Sequence, residues 1–281
     1  MSYASDGYGR RRPSISGRLV IAAIIALISV VSYLGTCSRN ELTDEVQHVA
    51  MSVDQEIGMG LQAAPEMEQQ YGGLSDNREG QALVEKVGER LLEHSVASHG
   101  KYPFAFHLLA DEKTINAFAL PGGQVFITAG LFDKLETEGQ LAGVLGHEIG
   151  HVIERHGAQQ LAKTHLTQGL TGAAVIATYD PNDPRSRRTA AVAAAVGELV
   201  NMRFGRKDEL QADQWGVKLT GGAGYDPRAM IGVMKILETA SQGREPPEFF
   251  STHPNPEHRI SRIEAVIEHA YPDGVPEGLK P

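Results

Sequence analysis

His147 and His151, with Glu148 beside the first of them, lie inside an apolar run from Leu141 to Val152. Leu141, Val144, Leu145, Ile149 and Val152 recur at helical spacing, so the run reads as a helix facing a core. Charged and imidazole side chains cost too much in such a place unless they are paired or bound to a metal. On a helix, residues i and i+4 share a face about 6 Å apart, so both imidazoles can grip one ion. Glu148 follows His147 by roughly 100° of rotation and can lean over that ion without ligating it. The His-Glu-Ile-Gly-His pattern therefore limits the fold more than any other feature, because the surrounding elements must complete a coordination sphere. Two solvated histidines on a surface helix are the alternative, and the apolar setting weakens it.

Zinc suits two imidazole nitrogens, a carboxylate oxygen and a water, and brings the pKa of that water to about 7. Downstream, Glu209 and Asp213 are again four residues apart. Glu209 reads as the third ligand of one Zn2+ per chain. Asp213 is placed to accept a hydrogen bond from the far nitrogen of a zinc-bound histidine, His147. Glu148 would take the proton of the water as it attacks a peptide carbonyl and pass it to the leaving amine. His156, five residues past His151, falls on the wrong helical face for a ligand and reads as a packing or helix-end contact.

The same stretches carry a wider pattern. It comprises Asn116-Ala117-Phe118-Ala119-Leu120-Pro121-Gly122-Gly123, Thr128-Ala129-Gly130-Leu131, the His147 helix, and Glu209 followed by Ala212-Asp213-Gln214-Trp215-Gly216. Gly224-Tyr225-Asp226-Pro227 and His253-Pro254 with Arg259-Ile260 complete it. Together, over about residues 50–270, these resemble the zinc metallopeptidases of the CAAX prenyl protease and HtpX family. The resemblance implies a gluzincin-like fold with a sheet edge beside the active helix. Asn116, Ala117, Phe118 and Ala119 would then pair with an extended polypeptide substrate. It also implies that His253 and Arg259 approach the metal from a later loop and helix, to hold a tetrahedral oxyanion or gate access. The chain departs from the many-pass members in having one good membrane segment, and is closer to the periplasmic, single-domain type. Prenyl-peptide processing goes with a large intramembrane chamber, which one anchor cannot build. The expected activity is endopeptidase cleavage of misfolded or membrane-associated proteins. A chaperone-like binding module whose zinc site is gated by His253 is the alternative.

Leu19 to Thr36 is an uncharged run of 18 residues, which at 1.5 Å per residue just spans a hydrocarbon core. Arg10, Arg11, Arg12 and Arg18 precede it, which places residues 1–18 in the cytoplasm and the rest on the periplasmic or other extracytoplasmic side. A cleaved signal and a lipoprotein signal ending at Cys37 are the competing readings. Residues 1–40 hold five arginines and one acid of the chain's 26 basic and 35 acidic residues, so residues 41–281 carry 21 against 34, net −13. Phosphate backbones would repel such a domain, so nucleic acid is excluded as a partner. The single cysteine excludes an intrachain disulfide and a thiolate metal cluster.

Periodicity predicts helices over 43–70, 76–94, 131–135, 138–160, 206–219, 227–240 and 257–270, and strands over 104–109, 115–119 and 124–128. Residues 161–203 are Ala- and Gly-rich, and Asp180 to Arg188 is expected to split them into two helical pieces. The expected architecture is α+β and mainly helical. A disordered segment 1–18 and an anchor 19–36 precede a metallopeptidase domain 45–271 and a flexible tail 272–281.

Overall fold

The computed structural model describes residues 15–178, 204–242, 246–253 and 258–281. The expected split at Asp180 to Arg188, most of the segment 1–18, and 254–257 lie outside the described residues; 15–18 are helical. An apolar helix opens the described chain, α1 (Ile15–Gly35), followed by the hairpin β1 (Cys37–Arg39) and β2 (Val46–His48). Then come α2 (Val53–Gln70), α3 (Arg78–Glu93), β3 (Ala105–Leu109), β4 (Ala117–Leu120), β5 (Gln124–Thr128) and α4 (Ala129–Phe132). The remainder is α5 (Glu138–Ile153), α6 (His156–Thr178), α7 (Arg206–Gly222), α8 (Ala229–Ser241), α9 (Phe249–Thr252) and α10 (Arg259–Ala270). The fold is thus α+β and mostly helical.

Two compact units divide the chain, one holding α1 with α6 from Lys163 onward, the other holding the rest. In the first, Gly17–Gly35 is the one stretch among the described residues long and apolar enough to cross a membrane. Its large side chains face outward, with Leu27 63% and Ile28 62% exposed. Gly169 of α6 lies against Ser29 of α1, with no room for a Cβ between them.

In the second unit the sheet runs β3-β5-β4, with β3 and β5 parallel and β4 and β5 antiparallel. All five residues of β5 are buried, as a central strand requires, and β4 forms an edge. Thr128 fastens the sheet to α4. Its hydroxyl donates to the Thr114 carbonyl at 2.7 Å with the Asn116 carbonyl also in reach at 3.0 Å, accepts from the Asn116 amide at 3.1 Å, and caps α4 through the Leu131 amide at 3.3 Å. That network is the physical content of the Thr-Ala-Gly-Leu motif.

α5 is the axis of this unit. Thr137 caps it through the Gln140 amide at 3.2 Å, and every residue from Gly139 to Ile153 is buried. The predicted helix 138–160 is broken after Ile153, and α6 begins at His156. Arg155, at φ +57°, makes the break. A non-glycine residue there costs roughly 1–2 kcal/mol, and the Arg155 side chain offsets it by donating to Glu56 Oε2 at 3.0 Å and the Met51 carbonyl at 2.7 Å. The predicted helix 43–70 is likewise only α2, because residues 46–48 pair with 37–39. The segment 272–281, expected to be flexible, closes back on the body. Lys280 and Gly224 share a backbone hydrogen bond at 3.0 Å, and the Gly139 amide at the head of α5 donates to the Pro281 carbonyl at 2.9 Å.

Candidate metal centre

The site depends on how closely α7 approaches α5. Gly146 and Gly216 face one another, so that a Cβ on Gly146 would stand 3.3 Å from the Gly216 Cα. One turn on, a Cβ on Gly150 would meet the Trp215 Cβ at 2.7 Å. Glycines on this seam remove the side chains that would hold the helices 8–10 Å apart. Glu209 and Asp213 are thereby brought onto the face of α5 that carries His147 and His151.

His147 Nε2 and His151 Nε2 lie 3.1 Å apart, and His253 Nδ1 is 3.3 Å from the former. Glu209 completes the set, with Oε1 3.1 Å from His253 Nδ1 and 3.5 Å from His151 Nε2, and Oε2 3.6 Å from His147 Nε2. All four ligand atoms fall within 4.8 Å of one another. A tetrahedron of atoms about 2.0–2.1 Å from a central ion has edges of roughly 3.3 Å, so these separations fit one small divalent cation. The charges fit as well. Among the described residues, Glu148, Glu209 and Asp213 are buried beside a single guanidinium, Arg259. With the imidazoles neutral, three negative charges against one positive leave two uncompensated, the complement of a divalent ion. Among the described residues, both Glu148 oxygens, Glu209 Oε2 and His253 Nε2 lack a hydrogen bond of ordinary geometry, a costly condition for buried polar atoms.

Burial pushes the Glu148 carboxyl up to about 7, with the Glu209 carboxylate adding to it, while the Ala119 backbone amide is among the groups that pull it down. Burial likewise raises Glu209 to about 7, helped by Asp213 and Asp208. His253 is pushed down to about 3 and His151 well below its ordinary value, first by burial and then by neighbouring positive charge. Neutral imidazoles are the form that ligates metal. For Asp213 burial works upward too, but Arg259 and the hydrogen bond with His147 overcome it and hold the carboxyl at about 2.

Asp213 stands where the i, i+4 spacing predicts, with Oδ1 3.0 Å from His147 Nδ1. Arg259 clamps it with two hydrogen bonds, Nε to Oδ2 at 2.9 Å and Nη2 to Oδ1 at 2.7 Å, and its Nη1 lies 3.2 Å from Glu209 Oε2. The guanidinium thus spans Glu209 and Asp213. His253 Nε2 is 3.6 Å from Glu148 Oε1, so this ring faces both the ligand cluster and Glu148. Ala117, Phe118 and Ala119 lie on the edge strand β4, whereas Asn116 precedes it and turns inward. The Asn116 amide donates to Tyr71 Oη and Glu248 Oε1, each at 3.3 Å, and Tyr71 donates to the same carboxylate.

Two neighbours, Phe204 and Phe249, carry no signal in the sequence pattern. Phe204 lies against His151 with ring centroids 4.3 Å apart, and Phe249 stacks on His253 at 4.5 Å, so aromatic walls enclose the cluster. Neither has a telltale spacing. His156 is buried with Nδ1 2.9 Å from His151 Nδ1, a contact that the unforeseen break at Arg155 makes geometrically open.

Residues 78–267 match the model of peptidase family M48. The beta-barrel assembly-enhancing protease of Escherichia coli K12 is 35% identical over 189 residues, 63% of this chain and 37% of that protein. Mitochondrial metalloendopeptidase OMA1 of Schizosaccharomyces pombe is 29% identical over 272 residues, 96% of this chain and 76% of that protein. The mitochondrial metalloendopeptidase OMA1 of Homo sapiens is 30% identical over 168 residues, 58% of this chain and 32% of its own length. Against the bacterial relative this chain therefore spans well under half the length. The matched region takes in every group of the buried cluster from His147 to Arg259, and the chain belongs to peptidase family M48.

Proposed function

We propose that this chain is a zinc-dependent endopeptidase acting on misfolded or membrane-associated proteins. The observation that carries the proposal is the meeting of His147, His151 and Glu209 within 4.8 Å of one another, with the buried Glu148 carboxylate alongside. Bound there, the ion would act as a Lewis acid and bring a water within reach of deprotonation near neutral pH. Glu148 is the base for that water and the donor to the leaving amine, and its raised pKa suits both roles. Asp213 fixes the tautomer of His147. His253 and Arg259 are the nearest donors for developing negative charge. The open edge of β4, at Ala117, Phe118 and Ala119, supports recognition of extended backbone rather than particular side chains, which suits unfolded substrates. The outward-facing apolar residues of α1 support anchoring through residues 19–36, with the peptidase body outside the cytoplasm. Glu148→Gln is expected to abolish casein cleavage while leaving zinc bound at one ion per chain; cleavage retained in that variant would overturn the mechanism.

A second reading rests on His253 Nδ1, which lies where a fourth ligand would sit. A ring held there would exclude the water, leaving a binding module with a silent site. Peptidase activity measured on wild type and His253→Ala separates the two. Absence of cleavage from both favours the binding module, and cleavage by either favours the enzyme.

A further inference from the structure

The two histidines of the motif are supported differently behind the cluster. His147 backs onto a carboxylate, Asp213, which is itself clamped by Arg259. Among the described residues no acid stands behind His151; its Nδ1 faces Nδ1 of His156 at 2.9 Å. His156 is wholly buried, and its Nε2 lies 3.3 Å from Gln211 Oε1. Gln211 Nε2 in turn donates to Glu45 Oε2 at 2.9 Å, at the exposed end of the series.

We infer that His156 is the positioning residue for His151, holding its ring plane and tautomer through a one-way chain of hydrogen bonds that ends on Gln211 and Glu45. The inference rests on the reading of the cluster as a metal site. Proton counting gives the chain its direction. His151 Nε2 faces the cluster, and a nitrogen that gives its lone pair to a cation carries no proton. The one proton of the neutral ring is then on Nδ1, which donates to His156 Nδ1. His156 consequently carries its proton on Nε2 and donates it to the Gln211 carbonyl oxygen. This leaves the Gln211 amino group for Glu45.

Local structure builds this arrangement at some cost. Along an unbroken helix, five residues carry a side chain about 140° away from His151. The αL conformation of Arg155 turns the chain so that His156 comes back over the ring. The carbonyls freed at the break are covered: Asn40 donates to Ile153 O at 2.8 Å, Gln47 to Glu154 O at 3.0 Å, and Gln159 to Glu154 O at 2.8 Å. Gln211 lies between the ligand Glu209 and Asp213 on α7, so one helix supplies a ligand and parts of both supports.

Zinc affinity, measured by competition with a chromogenic chelator, tests this without reference to catalysis, and the absorption spectrum of the cobalt-loaded protein reports ligand geometry. His156→Leu should weaken zinc binding on the order of 10–100-fold and alter the cobalt bands, as loss of a ligand's outer partner does. His156→Asn, whose carbonyl oxygen can stand near the lost Nδ1, should recover most of that affinity. Gln211→Leu, at the accessible end, should weaken binding by a smaller factor and serves if His156→Leu does not fold. Wild-type affinity and an unchanged cobalt spectrum in His156→Leu, or in Gln211→Leu where the first does not fold, would overturn the chain of support. Asparagine no better than leucine would reduce His156 to packing. A wild-type protein that binds no zinc would sink the peptidase reading itself, an outcome distinct from either.

Discussion

Among the described residues Arg259 is the only cation set among three buried acids at the centre, and its side chain is 1% exposed. Removing one partner of a buried ion pair leaves the other uncompensated, at about 3–5 kcal/mol. Arg259→Leu is therefore expected to destabilise the protein by that amount in urea unfolding, and Asp213→Asn to weaken zinc binding on the order of 10–100-fold. A chelator titration reporting equal affinity in Asp213→Asn would contradict the assigned support of His147. The residues of this layer divide by how they announce themselves in sequence. His147, His151, Glu209 and Asp213 are legible because each pair obeys the i, i+4 rule of a single helix. Phe204 and Phe249 are not, since an aromatic wall has no required spacing. His156 is legible only as a histidine on the wrong face, because no glycine or asparagine marks the left-handed residue ahead of it.

Between elements, the glycine seam joining α5 and α7 decides whether the carboxylates reach the imidazoles. Gly150→Ala places a Cβ 2.7 Å from the Trp215 Cβ and 3.2 Å from the Ala212 Cα, neither of which can yield without moving α7. Overpacking of this kind costs about 1–3 kcal/mol. Thermal unfolding should show that loss, and zinc affinity should fall with it, because α7 carries Glu209 and Asp213 together. Affinity untouched in a destabilised Gly150→Ala would mean that the seam serves packing alone. Sequence patterns serve this scale unevenly. The expected strand 124–128 is β5 to the residue, as a mostly apolar run between a two-glycine turn and a threonine cap should be. The three-residue strands β1 and β2 are too short to show a period of two, and β2 falls inside the predicted helix 43–70.

Across the second unit, the last described residues tie back to the first turn of α5. The hydrogen bond from Lys280 holds the Glu138 carboxyl below its ordinary value of 4.5, with Lys86 and Tyr225 helping. A carboxyl lowered by folding adds stability that is fully present above its unfolded pKa and is lost as pH falls through the folded one. Both side chains are partly exposed, so solvent limits the effect to about 0.2–1 kcal/mol. Lys280→Ala should accordingly lower stability by that amount at pH 7, and the difference from wild type should vanish in acid, as urea unfolding at several pH values would reveal. The α+β class and mainly helical content are legible from periodicity. The grouping of Lys163 onward with α1 is not, because contact between segments so distant in sequence leaves no local pattern. Finally, α5 has no side open to water from Gly139 to Ile153. A helix sealed in this way cannot fray by itself, so its amides should take up deuterium only when the whole body opens. The two imidazoles are then held as durably as the fold itself.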